Sequence, residues 1–239
     1  MCGRSSLTKT EKEIEARFKA TFYSEELERY NPLPNYNVAP TQMMPVITQD
    51  DAQHIRILRW GLIPFWAKES AIGAKMINAR SESLTEKTAF KNLLKSHRCI
   101  IPMDGFYEWK KVGKQKVPYR MITIDQDIFG VAGLWDSWKD PTSDEILHSF
   151  TVITVGANKL MEAIHDRMPA ILTKANERIW LDQEIKPQDA IQLLLPYAEQ
   201  DMKAYRVSPK INSVKERDSD LIDDFGDAEG TITTQLSLF

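Results

Sequence analysis

Polar and apolar positions near the start of the chain follow a helical period. "TKTE" (Thr8 to Glu11) has capping-box spacing, and Ile14 and Phe18 recur behind it about one turn apart. This predicts a first helix from about Lys9 to Ala20, close behind the N-terminus. Prolines at 32, 34 and 40 make "NPLPNYNVAPTQ" a loop, because the pyrrolidine ring forbids continuous helix. Strand patterns follow in "MMPVITQ", "HIRILRWGLI", "RCIIPMDGFYEW", "VPYRMITI", "IFGVAGLWDSW" and "LHSFTVITV". Among them "LTEKTAFKNLLKSHR" reads as one amphipathic helix, with Phe90, Leu93 and Leu94 on its apolar side. Past Val155 the pattern predicts short helices near "NKLMEAIH", "ANERIWL" and "PQDAIQLLLPYA", then a last strand "AYRVS".

Strands that follow one another without alternating helices argue for an α+β protein. The expected core is a curved, mostly antiparallel, barrel-like sheet flanked by helices. A single domain is expected over residues 1–215, with an acidic flexible tail over 216–239.

Composition narrows the class. At 239 residues and 42% hydrophobic, the chain can bury a sizeable core. It has no 18-residue apolar run and no apolar segment behind Arg4 and Lys9, which argues against a membrane span or a secretory signal. Cys2 and Cys99 are the only cysteines, too few for a disulfide framework or a structural zinc site. A cytoplasmic monomer without metal or cofactor is the expectation, and a reducing setting keeps the Cys2 thiol unoxidised. Residues 216–230 hold seven acids against one base, Arg217, which leaves the rest at about +3. A mildly basic body permits contact with phosphates without demanding it.

Chemistry concentrates at four places. "MCGR" places Cys2 behind the initiator, so removal of Met1 would create a 1,2-aminothiol. Such a group condenses with an aldehyde and then closes a thiazolidine; the second step is intramolecular, where effective molarities reach about 10⁵ M or more. In "KMINARSES", Asn78 can orient a carbonyl or hydroxyl and Arg80 can grip a phosphate, or the segment can be a turn paired through Glu82. In "IPMDGFYEWKK", alternation puts Tyr107 and Trp109 on one face and Glu108 on the other, where desolvation suits acid/base work. The bland alternative pairs Glu108 with Lys110 or Lys111. In "AIHDRMPAIL", His165 stands beside Asp166 and Arg167 at a helix-to-strand junction.

In order along nearly the whole body, "MCGR", "YNVAPTQ", "RWGLIPFW", "INARSE", "RCIIPMDGFYEWKK", "TVITVGAN" and "IHDRMPAIL" resemble the SOS-response-associated peptidase (SRAP) family, the abasic-site processing proteins. The resemblance implies an α+β fold around a barrel-like core, loss of Met1, and a DNA damage response. It implies a covalent thiazolidine crosslink between Cys2 and the ring-opened aldehyde of abasic sites in single-stranded DNA. Catalytic roles then fall to Cys2, Asn78, Glu108 and His165. Arg4, Arg80 and Arg167 would hold phosphates, and Pro40, Trp66 and Thr154 would line the DNA channel. Thr88 departs from relatives that carry an arginine, with Lys87 or Lys91 as substitutes. The terminal Gln235, Leu236, Leu238 and Phe239 resemble a peptide that docks on the replicative sliding clamp, and the implied location is the cytoplasm, at the nucleoid during damage.

Two other classes compete. An N-terminal-nucleophile glutaminase also opens "MCG", but glutamine-site motifs are missing from the sequence. A non-catalytic single-strand or clamp adaptor would bind without Cys2.

Overall fold

The computed structural model describes residues 2–30 and 32–226. The first strands are β1 (Ser5–Leu7), β2 (Thr21–Phe22), β3 (Asn35–Val38), β4 (Met43–Thr48) and β5 (Asp51–Trp60). They are followed by β6 (Asn78–Arg80), β7 (Arg98–Met103), β8 (Gly105–Val112), β9 (Gln115–Thr123) and β10 (Phe129–Lys139). The last are β11 (Ile146–Gly156), β12 (Arg167–Pro169), β13 (Ile171–Leu172) and β14 (Met202–Arg206). Helices α1 (Glu11–Phe18), α2 (Ser24–Tyr30), α3 (Thr88–Lys91), α4 (Leu93–Ser96), α5 (Lys159–Glu162), α6 (Lys174–Leu181) and α7 (Pro187–Ile191) are short.

Five strands close on themselves. β4 pairs antiparallel with β5 and β7, and β10 does so with β7 and β11. β11 then returns to β5 in parallel, with Ser149 opposite Arg59 and Phe150 opposite Trp60. The result is the expected α+β barrel, mixed at this one seam. Closure removes the exposed edges of the core strands. A second, antiparallel sheet runs β14-β9-β8-β1-β3. Its outer face holds a small apolar cluster of Tyr107, Ile122, Tyr205, Val207, Ile211 and Leu221, and the main core fills the space inside.

Several local expectations shift, each for a visible reason. The capping box is Thr10 with Glu13, not Thr8 with Glu11, because Thr8 is drawn away: its backbone and hydroxyl both bond Asp104, at 2.6 and 2.5 Å. "RCIIPMDGFYEW" is two strands in different sheets, broken at Asp104. The buried Asp104 carboxylate accepts from Ser6, Thr8 and Arg120, so one residue fastens the N-terminal strand to this corner. "LTEKTAFKNLLKSHR" forms two single turns, α3 and α4, rather than one helix, although Phe90, Leu93 and Leu94 are buried as the pattern requires. Within the proline-rich loop, Asn35–Val38 is recruited as β3 against β1.

The body also continues past Lys215. A turn at Ser219–Ile222 buries Leu221 completely, and Phe225 N–H bonds the Arg206 carbonyl at 2.9 Å. Acidic residues here are therefore the solvent side of a packed strap, at least to Gly226. Among the described residues, no helix is long and apolar enough to cross a membrane.

Candidate active site at the N-terminal cysteine

β1 is sandwiched between β3 and β8, with Ser5 opposite both Val38 and Phe106. Tyr107 N–H also bonds the Arg4 carbonyl at 2.9 Å. This pairing carries the start of the chain into the interior, and Cys2 has no exposed surface. Asn78, from β6, fixes it from the barrel side: Nδ2 donates to the Cys2 carbonyl at 2.7 Å. Asn78 Oδ1 is buried and accepts nothing among the described residues. A buried acceptor left open is costly, so its retention points to a ligand or a changing chain terminus. Cys2 Sγ lies 3.8 Å from the Arg4 carbonyl. Burial, reinforced by the Glu108 carboxylate, pushes the thiol up to about 12, so it is neutral at physiological pH.

Glu108 and His165 face one cleft of about 770 Å³, which Trp109, Lys116 and Asn212 also line. Alternation along β8 places them as expected: Phe106 turns to the main core, Tyr107 and Trp109 to the outer cluster, and Glu108 away from those two. Glu108 is 4% exposed. His165 ends the turn behind α5, and Asn158 caps that helix at Met161 N–H. His165 Nδ1 meets two partners with opposite demands. The Arg167 N–H lies at 3.0 Å and needs an acceptor, whereas Asp166 Oδ1 lies at 2.8 Å and needs a donor. The first contact needs Nδ1 without a proton and the second needs Nδ1–H, so the two suit different states of the ring.

The three arginines occupy different environments. Arg4 is 9% exposed, donates to Asn37 Oδ1 at 2.5 Å and the Ile211 carbonyl at 2.7 Å, and lies 5.7 Å from the Trp109 ring centroid. It braces the cleft wall. Arg80 is exposed two residues beyond Asn78, on the same face of β6. Arg167 forms a two-point pair with Glu82, at 2.5 and 2.9 Å, and also donates to the Thr154 carbonyl at 2.6 Å. That fork holds the Glu82 carboxyl down at about 2. Thr154 stands in register with Arg80 and is fully buried, its hydroxyl 3.4 Å from the Ala79 carbonyl.

Pro40 is half-buried beside the end of β5. Trp66 is 49% exposed and Phe65 66% exposed, on the loop that leaves β5 at Gly61. Gly61 has φ +117°, and a Cβ there would meet the Gly73 carbonyl oxygen at 2.6 Å, so only glycine makes this exit. Thr88, Lys87 and Lys91 are exposed around α3. The sequence reading missed Phe65, Lys116 and Asn212; the first lay in plain view behind Pro64, whereas Asn212 is brought in from far along the chain. Gln235, Leu236, Leu238 and Phe239 lie outside the described residues.

The fold and site define a class: a mixed barrel that buries its second residue, Cys2, with a cleft lined by Glu108 and His165. Residues 1–214 match the family described as SOS response associated peptidase (SRAP). This chain belongs to that family. It is 45% identical over 226 residues to the abasic site processing protein YoqW of Bacillus subtilis, covering 93% of this chain and 99% of that protein. The abasic site processing protein HMCES of Xenopus tropicalis is 36% identical over 238 residues, covering 82% of this chain and 70% of that protein. A crystal structure of a Bacteroides thetaiotaomicron protein superposes with a TM-score of 0.81 at 30% identity, covering 91% of this chain and all of that one.

Proposed function

We propose that this protein, once Met1 is removed, captures abasic sites in single-stranded DNA through Cys2 as a thiazolidine. The observation that carries the reading is the Asn78–Cys2 bond, which ties the start of the chain within electrostatic reach of Glu108, a wall of the cleft that His165 also lines. Names of the relatives as abasic site processing proteins support the substrate.

With Met1 attached, the Cys2 nitrogen is an amide and cannot condense. Hydrolysis of that bond, the peptidase step, liberates an α-amine with an ordinary pKa of about 7.7–8.0. A thiol buried away from solvent stays neutral and is a poor leading nucleophile, so the amine attacks first. Its nitrogen adds to the aldehyde carbon of the opened sugar, and the carbinolamine loses water to give an imine. Sγ then adds to the imine carbon while the thiol proton passes to nitrogen, closing the ring. One N–C bond and one S–C bond form, and one water leaves.

Glu108 and His165 carry the protons of ring opening, dehydration and closure; a fixed Glu108 anion would only keep the amine charged. Asn78 Nδ2 holds the Cys2 carbonyl, leaving Oδ1 for the α-ammonium or a sugar hydroxyl. Arg80 and Arg167 grip the flanking phosphates, Arg167 by exchanging Glu82 for phosphate, and Arg4 supports the wall. Pro40 and Trp66 border the strand, whereas the fully buried Thr154 does not line the channel and acts only by holding Arg167 through its carbonyl. The link shields the lesion, and the same steps run backwards release it.

An uncleavable extension ahead of Cys2 tests the reading. It should abolish the crosslink while single-strand binding persists; crosslinking with the extension intact would refute it.

A further inference from the structure

β8 and β9 form a hairpin that rises directly from Glu108, with a two-residue turn at Gly113 and Lys114 between the paired Val112 and Gln115. Residues 109–118, "WKKVGKQKVP", contain four lysines and no acid. Lys111 and Lys116 are directly opposite one another in the ladder, and both are exposed. Like charges in this position repel at close range and weaken the hairpin. Among the described residues, none of Lys110, Lys111, Lys114 and Lys116 forms an ion pair. Acidic side chains of the nearby strap are not used to relieve them; Asp220, for example, pairs with Lys210.

This unrelieved charge is joined to the cleft. Lys116 and Trp109 line the same opening as Glu108 and His165. In the ladder Trp109 precedes Lys111 by two positions, so the indole, Lys111 and Lys116 share one face of the hairpin. The indole is fixed by its N–H to Asn212 Oδ1 at 2.7 Å and by the Arg4 guanidinium behind it. An aromatic ring beside a row of cations is the arrangement that follows a single strand, stacking a base and neutralising its backbone.

We propose that the β8–β9 hairpin is a second contact surface for single-stranded nucleic acid, with Trp109 stacking a base and Lys111 and Lys116 sharing the phosphates that leave the cleft. The proposal rests on the single-strand reading of the site, but it concerns non-covalent binding and needs no lesion. It accounts for the repulsive pair: the anion that relieves Lys111 and Lys116 comes with the ligand.

Lys111→Glu tests it, because the substitution replaces the repulsion by attraction. Full-length protein should gain thermal stability yet bind an undamaged single-stranded oligonucleotide several-fold more weakly. The plot of log affinity against log salt should flatten by about 0.7 or more, the contribution of one single-strand phosphate contact. Lys111→Gln with Lys116→Gln, which introduces no new pair, should flatten it by roughly twice that amount. Wild-type affinity and salt slope in both variants would overturn the proposal. Because the oligonucleotide carries no abasic site, failure here leaves the Cys2 reaction standing. Wild-type protein that binds the undamaged strand but forms no crosslink with an abasic one would instead count against the Cys2 reading.

Discussion

Asn78 Nδ2 donates to the Cys2 carbonyl oxygen across 2.7 Å, a side chain of the barrel holding the second residue of the chain. Strand pairing sets the depth of β1, and this bond sets where Cys2 points. Asn78→Ala removes the donor and leaves a buried carbonyl unsatisfied, at a cost of about 1–3 kcal/mol in stability. The larger expected effect is on chemistry: misplacement by about 1 Å can cost 10²-fold in rate. Single-turnover crosslinking of the Ala variant should slow by that order while binding to undamaged strand is kept. Equal rates in both proteins would remove Asn78 from the mechanism.

The Cys2 thiol, raised from 9.0 to about 12 by burial and by Glu108, should resist alkylation in the native chain that still carries Met1. Iodoacetamide at pH 8 should label Cys2 far more slowly in folded than in denatured protein, read by peptide mass. The sign for stability follows from the raised value. The folded state holds the proton more tightly, so the contribution is complete below about pH 9 and is lost as pH rises toward 12. Cys2→Ala should therefore reduce the alkaline loss of stability.

Glu82 and Arg167 give the opposite limb. The Arg167 fork lowers the Glu82 carboxyl from 4.5 to about 2, so the pair contributes fully above about pH 4.5 and fades as pH falls toward 2. Glu82 is 61% exposed, and solvent limits the pair to about 1 kcal/mol or less. Glu82→Gln should narrow the difference in melting temperature between pH 7 and pH 2.5. Identical pH profiles would show that the pair carries no folding energy.

Asp104 is the deeper joint. It is 4% exposed and neutralises Arg120 at 3.0 Å while receiving Ser6 and Thr8. Asp104→Ala strands a buried guanidinium, which costs about 3–5 kcal/mol. Denaturant unfolding should show that loss, and hydrogen exchange should rise first at Ser5–Leu7, whose pairing it secures.

What the sequence disclosed followed from apolar patterning. Nearly continuous apolar or β-branched runs such as Met43–Thr48 and Ile146–Gly156, buried on both faces over most of their length, were legible as strands, and so were the apolar positions Phe90, Leu93 and Leu94. Short strands were not: Ser5–Leu7 and Asn35–Val38 carry too few residues to show a period and exist because each pairs with the other. The break at Asp104 was hidden because its cause, Arg120 and Thr8, comes from elsewhere in the chain. Among the candidate site residues, Cys2, Asn78, Glu108 and His165 stood out in the sequence by their chemistry and the motifs around them. Geometry added that Arg4 serves the wall, that Arg167 already holds a carboxylate, and that Asn212 reaches the cleft from residue 212 of the chain.

The most direct test of the central claim is intact-mass analysis of the purified protein incubated with a single-stranded oligonucleotide bearing one abasic site. The account predicts a species equal to the chain without Met1 plus the oligonucleotide minus one water, absent for Cys2→Ala. A chain that has lost Met1 yet yields no such species, or an adduct that persists in Cys2→Ala, would contradict it.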